Sequence, residues 1–272
     1  YGELEKISMA IIYDLSALPS ETRELIENSA KYTALFSKLP DKILGIDSNA
    51  KTVKGQKQMV LTGIFYGTPY NGSGLNMCSM AVIAQCHLAC LFTAGRGAMV
   101  NVFMSRLRKT LCLQQFPDEF KEILIKDIKK LERKAQRLGM VPMVRLNGTT
   151  DIRWEIFFPE LFTMFPSVQF YDYTKIANRK VNHIPNYDLT FSYSGVKEYQ
   201  PYVQQAIDNG LRIAVVFKHK DRIPAQFLGM ECVDGDDSDI RPYDPHGVVV
   251  ALYAKGKARN DTSGFVVDNT FM

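Results

Sequence analysis

A chain of 272 residues, 46% hydrophobic and 23% charged, has the make-up of a globular protein able to bury a core, as one large domain or two small ones. Its 18 Gly and 12 Pro are too few for a fibrous or low-complexity chain, and 16 Phe with 13 Tyr argue against disorder. The net charge of +4 permits a nucleic-acid partner without requiring one, and no apolar run approaches the roughly 20 residues of a membrane span.

Residues 1–45 read as a helical extension ahead of a single α/β domain over 46–272. Within the extension, Glu21–Phe36 carries a loose helical pattern (Leu25, Ile26, Ala30, Leu35), and Pro40 interrupts it. Lys51, Lys54 and Lys57 fall in a polar, glycine-containing stretch that predicts an exposed loop. Met59–Tyr66 is a β-rich run, followed by the turn chemistry of Gly67-Thr-Pro and Asn71-Gly-Ser-Gly.

Three of the five cysteines then crowd into thirteen residues as Cys78, Cys86 and Cys90, a C-x7-C-x3-C array. An odd number of cysteines in a chain this long suits a reducing cytosol better than a disulfide framework. Three thiols so close together predict a metal or cluster site, with small buried hydrophobes on a helix as the plainer alternative. Cys86 and Cys90, at i and i+4, are expected to share one helical face. A structural zinc site wants a fourth ligand, for which His87 is the nearby candidate. Three ligands without an obvious fourth favour an open [4Fe–4S] cluster. Thr93-Ala-Gly95-Arg96-Gly97 opens the next helix; its glycines would let the backbone pass close to such a cluster, and Arg96 would offset its negative charge.

The longest helical region follows. Met99–Gln115 places Val100, Phe103, Leu107 and Leu111 on one face. Pro117 opens a second helix at its favoured first position, Phe120, Leu124, Ile128, Leu131, Ala135 and Leu138 recur at steps of three and four, and Gly139 stops it. Its lysines and arginines are interleaved with Glu122, Asp127 and Glu132, the pattern of a solvated face more than of a nucleic-acid patch. From Val141 onward short apolar strands (Val141–Leu146, Val168–Tyr173, Leu189–Tyr193, Ile213–Phe217, Met230–Val233, Val248–Tyr253) alternate with loops and with helices at Pro159–Phe165 and Tyr199–Asn209. Such alternation predicts a mostly parallel sheet, as a partial (βα)6-type barrel or an open sheet.

In parallel α/β folds the site lies at the carboxyl ends of the strands. Polar residues gather there: Asn147-Gly148-Thr149-Thr150-Asp151-Ile-Arg153, Tyr171-Asp172-Tyr173-Thr174-Lys175, Ser192-Tyr193-Ser194-Gly195, Lys218-His219-Lys220, and Asp234-Gly-Asp236-Asp237-Ser-Asp239.

Gly72-Ser-Gly-Leu-Asn-Met-Cys78, Cys86-x3-Cys90-Leu, Thr93–Gly97, Arg145–Trp154, Gln169–Lys175, Asp234–Pro245 and Lys255–Phe265 together resemble the bacteriophage "gene product 88" family over roughly residues 50–267. That resemblance implies a phage or prophage protein in the cytosol of a bacterial host and names no activity; with no apolar run of spanning length, no membrane partner is expected. A second resemblance is to radical S-adenosylmethionine enzymes, in which three cysteines after the first strand of a partial barrel hold a [4Fe–4S] cluster; their usual spacing is C-x3-C-x2-C. It implies that Cys78, Cys86 and Cys90 hold the cluster and that S-adenosylmethionine binds its open iron. Asn147, Gly148, Thr149, Ser192 and Ser194 would then contact that cofactor, Asp151 would help orient it, and Lys175 or Arg153 would handle an anionic part of a small-molecule or nucleotide substrate.

Two other readings stand beside this one. Tyr171 or Tyr173 as nucleophile, or Asp151, Asp172, Asp234 and Asp236 as Mg²⁺ ligands, would make a nucleic-acid-processing or nucleic-acid-binding protein. Zinc held by the three cysteines and His87 would make a non-catalytic interaction protein.

Overall fold

The computed structural model describes residues 10–46, 56–90, 92 and 95–272. The loop expected around Lys51 and Lys54 lies outside the described residues, as do Thr93 and Ala94.

The helical pattern of residues 21–36 resolves into two helices, α1 (Ser20–Glu27) and α2 (Ala30–Phe36), with the break at Asn28 and Ser29. Strand β1 (Leu44–Ile46) follows, then β2 (Val60–Phe65), α3 (Val100–Gln115), α4 (Pro117–Leu138) and β3 (Val141–Arg145). The remaining elements are α5 (Trp154–Phe157), α6 (Glu160–Met164), β4 (Gln169–Thr174), β5 (Tyr187–Ser192), α7 (Gln200–Asp208), β6 (Arg212–Phe217), β7 (Gln226–Phe227), β8 (Met230–Asp234) and β9 (Val249–Tyr253). Pro117 stands in the first turn of α4, and Gly139 caps its end at φ +64°, the left-handed conformation that glycine adopts without strain.

The nine strands form one open sheet in the order β1-β2-β3-β4-β5-β6-β9-β8-β7. β2 through β6, β9 and β8 run parallel; β1 and β7 are antiparallel edges. Because β2 to β6 are laid side by side in chain order, right-handed crossovers place their connections on one face. That face carries the main core: Leu61, Phe65, Val144 and Phe170 of the sheet pack with Leu107, Leu111, Phe120, Leu124, Leu131 and Trp154. Tyr13, Leu15, Leu18, Ile26 and Phe36 belong to the same cluster, and Tyr13 sits edge-on to the rings of Phe36 and Phe116, so residues 10–46 are built into this core. Asp127 fixes the junction. Its buried carboxylate on α4 accepts from the backbone N–H groups of Ile43 and Leu44 at 2.6 and 2.9 Å.

The other face is covered by the segment 235–245. Ile240 packs on Val60, Met143 and Tyr171. Arg145 pairs with Asp239 and lies over the rings of Tyr171 and Tyr173, so the aromatic stripe of β4 is packed on its neighbours. Among the described residues no helix is long and apolar enough to cross a membrane.

Candidate functional site

The chain leaving β2 crosses the carboxyl rim of the sheet before it reaches α3, and the cysteines ride on this crossing. Its exit is set by close approach: a Cβ on Gly67 would lie 2.8 Å from the Thr150 methyl, so only glycine lets the exits of β2 and β3 lie together. Asp151 N–H donates to the Met77 carbonyl (3.0 Å) and Ser194 Oγ donates to the Ala84 carbonyl (2.8 Å), tying the segment to the ends of β3 and β5. Ala84 is buried among Phe191, Tyr193, Val215 and Phe217, and Cys86 packs beside Ala89, Ala254, Ala258 and Phe265.

The expected helix through the cysteines does not form. Gln85 takes φ +53°, a left-handed conformation, and only a short 3-10 turn, Cys86–Ala89, follows before Cys90 turns extended. Cys86 and Cys90 are thus presented by an irregular turn and share no α-helical face. Each of the three thiols is partly buried. Burial pushes the Cys78 thiol up to about 12, against the N–H that Tyr70 directs at its sulfur (3.5 Å). Burial also raises Cys86 and Cys90, opposed at Cys86 by Lys175 and at Cys90 by the Phe92 N–H, Arg106 and Lys175. Charge on Cys86 or Cys90 raises Cys78, and charge on Cys86 raises Cys90, so the sulfurs share one electrostatic neighbourhood.

Lys175 stands at its centre. Its ammonium donates to neutral acceptors, the carbonyl and hydroxyl of Ser192 (3.0 and 2.9 Å) and the Tyr193 carbonyl (3.3 Å), and lies 4.7 Å from the Phe265 ring centroid. Burial lowers its proton affinity, while Cys86, Asp151, Cys78 and Cys90, in that order, work to restore it. Asp151 accepts from Thr174 Oγ1 and Lys175 N–H, both at 2.8 Å, and faces Arg179 at 3.6 Å. Burial raises its carboxyl against the pull of Arg179.

The structure therefore brings Cys78, Cys86, Cys90, Lys175, Asp151, Ser192 and Ser194 to one rim. The other residues singled out in the sequence have different occupations. Asn147 is buried and saturated: its amide oxygen accepts from Thr150 Oγ1, Ile152 N–H and Trp154 Nε1, and its amide nitrogen donates to Ile152 O. Gly148 makes room for β2, since a Cβ there would lie 2.7 Å from Ile64 Cγ2 and from the Phe65 carbonyl. Thr149 Oγ1 donates to the Gly67 carbonyl at 2.6 Å. Arg153 reaches outward to Asn178 (2.7 Å). Arg96 is exposed on its 3-10 turn. The residue the sequence reading missed is Arg106, nearly two helical turns into α3, clamped between the rings of Tyr66 and Phe92 (4.9 and 5.3 Å) and acting on Cys90. Its signal was slight: an arginine in the half of the helix nearest the cysteine crossing.

The candidate groups for nucleic-acid chemistry are built into the sheet and its turns. Tyr171 and Asp172 are buried; Asp172 accepts from Asn147 N–H (2.7 Å) and Tyr187 OH (2.9 Å). Asp234 caps the N–H of Asp236, which in turn accepts from Tyr253 N–H and pairs with Lys255. His87 Nδ1 bonds the Ala81 carbonyl at 2.9 Å and its ring lies against Tyr70, which fixes the ring's orientation within the turn.

Against known proteins, the family model described as "Gene product 88" matches residues 39–269. The chain belongs to the phage gene product 88 family. The match takes in every rim residue named above and leaves α1 and α2 outside. No curated protein and no solved structure matches the chain, and the likeness to radical S-adenosylmethionine enzymes has no counterpart among these comparisons.

As a donor set, three sulfurs and no fourth suit a cluster in kind. Among the described residues, however, no three His, Cys, Asp or Glu groups stand close enough to hold a metal ion, so the three sulfurs as placed do not form a coordination site.

Proposed function

We propose that this member of the gene product 88 family is an iron–sulfur enzyme of radical-S-adenosylmethionine type, acting in the cytosol of the bacterial host, with its site on the carboxyl rim of the sheet around Lys175. Cys78, Cys86 and Cys90 would hold a [4Fe–4S] cluster, which once reduced by a cellular electron donor would supply a docking point for S-adenosylmethionine and the electron for its cleavage. One observation carries the reading: a partly buried ammonium, bonded to neutral oxygens alone, faces three thiols that burial keeps protonated. A thiol ligates a metal only as the thiolate, so loading releases protons from the sulfurs and gives Lys175 the anionic partners it lacks. Asp151 holds the Lys175 backbone in place, and Ser192 aims its ammonium at the cysteine crossing. The substrate class is a small molecule or nucleotide with an anionic part that Lys175 attracts.

The test is iron and sulfide quantitation on anaerobically reconstituted protein. Stoichiometric iron and sulfide, lost in each of Cys78→Ala, Cys86→Ala and Cys90→Ala but kept in Cys232→Ala, is the expected result. One zinc and no iron would replace this reading by a structural zinc site, and protein that takes up neither metal would end both.

A further inference from the structure

The charged face of α4 changes character once its carboxylates are placed. In sequence, Glu122, Asp127 and Glu132 interrupt a run of lysines and arginines. In the fold, Asp127 turns inward to the N–H groups of Ile43 and Leu44, and Glu132 accepts from Ser167 Oγ at 2.7 Å. Lys126, Lys129, Lys130, Arg133 and Arg137 are exposed, and none is paired with a carboxylate among the described residues. At 100° per residue the five fall within one third of the helix circumference, a straight basic ridge about 16 Å long, with the exposed Glu122 and Glu119 continuing the stripe beyond its amino end. Beside it runs a cleft of about 520 Å³, in which Lys129, Glu132, Arg133 and Gln136 face Met140, Pro142 and Ser167, with the Glu132 carboxylate held by Ser167 Oγ. Pro142 and Ser167 mark the amino ends of β3 and β4, so ridge and cleft lie on the rim opposite the cysteines.

We propose that this ridge binds the backbone of a nucleic-acid duplex without reading its sequence. A line of unpaired cations matches a line of phosphates, and their attraction rises as counterions leave the duplex. The cleft has no aromatic side chain on which an unpaired base would stack, the device that single-strand binders use. The inference is independent of the iron–sulfur reading, since the two surfaces are on opposite rims.

Fluorescence anisotropy with labelled duplexes of about 20 base pairs and two unrelated sequences tests it directly. With three or four phosphates neutralised, affinity falls about 40- to 150-fold between about 50 and about 200 mM salt. Both duplexes are expected to bind alike. The triple variant Lys130→Glu, Arg133→Glu, Arg137→Glu is expected to lose binding at least about tenfold beyond a control of equal charge change, Lys38→Glu, Lys180→Glu, Lys197→Glu. Circular dichroism and the thermal midpoint check that each variant is folded. The proposal is overturned if the duplexes do not bind at low salt, if ridge and control variants bind alike, or if a single strand or phosphatidylserine vesicles bind while the duplex does not.

Discussion

Gly148 offers the sharpest test of how the rim is built, because two readings of it predict different losses. As a cofactor contact, Gly148 would be silent in folding, and Gly148→Ala would harm binding alone. The structure gives it another task. A Cβ at this position would lie 2.7 Å from Ile64 Cγ2 and the Phe65 carbonyl, a buried side chain and a backbone group of β2, and 2.8 Å from Tyr66 Cδ1 on the half-buried ring just beyond it. The residue's own N–H also donates to the Phe65 carbonyl at 2.9 Å. Forcing a methyl into that contact costs about 1–3 kcal/mol as overpacking. Parting the two exits forfeits a backbone hydrogen bond worth about 1 kcal/mol more. The expected loss is therefore about 2–4 kcal/mol, or roughly 5–15 °C in Tm for a chain of this size. Gly139→Ala is the comparison: nothing lies within 4 Å of its Cβ, and only the φ of +64° opposes the substitution, at about 1–2 kcal/mol. Urea unfolding of both variants, with the native protein alongside, gives the difference. A Gly148→Ala protein within about 0.5 kcal/mol of native would refute the packing argument and return Gly148 to a ligand-contact role.

Three further outcomes are expected. Asp127→Ala strands the N–H groups of Ile43 and Leu44 and should lower stability by about 2–5 kcal/mol in urea titration, while Asp127→Asn, which keeps an acceptor oxygen in place, should cost well under half of that; equal losses would show that the two bonds are not what matters. Burial raises the Asp172 carboxyl to about 7, so the folded state holds a proton that the unfolded chain releases near pH 4. Its contribution is then full below about pH 4, lost as pH rises to about 7 and constant above, and a urea-midpoint series from pH 5 to 8 should fall in the native protein and flatten in Asp172→Asn. Finally, a Cys78 thiol pushed up to about 12 should be alkylated by iodoacetamide at pH 8 about 10³-fold more slowly in the folded, metal-free protein than in urea; mass spectrometry showing equal labelling would refute its protonated, shielded state.

The regular elements were legible because their signals are local. Apolar runs marked β2 through β6, β8 and β9 to within two residues, and Pro117 and Gly139 bracketed α4. The sheet order was only half legible: alternation announces parallel strands, but nothing in the sequence says that β9 slots between β6 and β8. At the site, spacing implied a shared helical face for Cys86 and Cys90, and the left-handed Gln85 removed it. Polar type alone could not tell Asn147, whose amide is consumed by its own loop, from Lys175, whose ammonium faces the thiols. The inward turn of Asp127 was equally hidden, since helical position gives a side chain's direction but not the N–H groups waiting for it.

The place of β9 has a consequence for how the chain acquires its shape during synthesis. From β2 to β6 each new strand finds its partner already in position, so the sheet can extend stepwise as the polypeptide emerges. The β7–β8 hairpin arrives next with no docking edge of its own, because the slot beside β6 belongs to a strand not yet made. Val249–Tyr253 bridges β6 and β8, so the β7–β8 hairpin joins the sheet only through a strand that is synthesised after it.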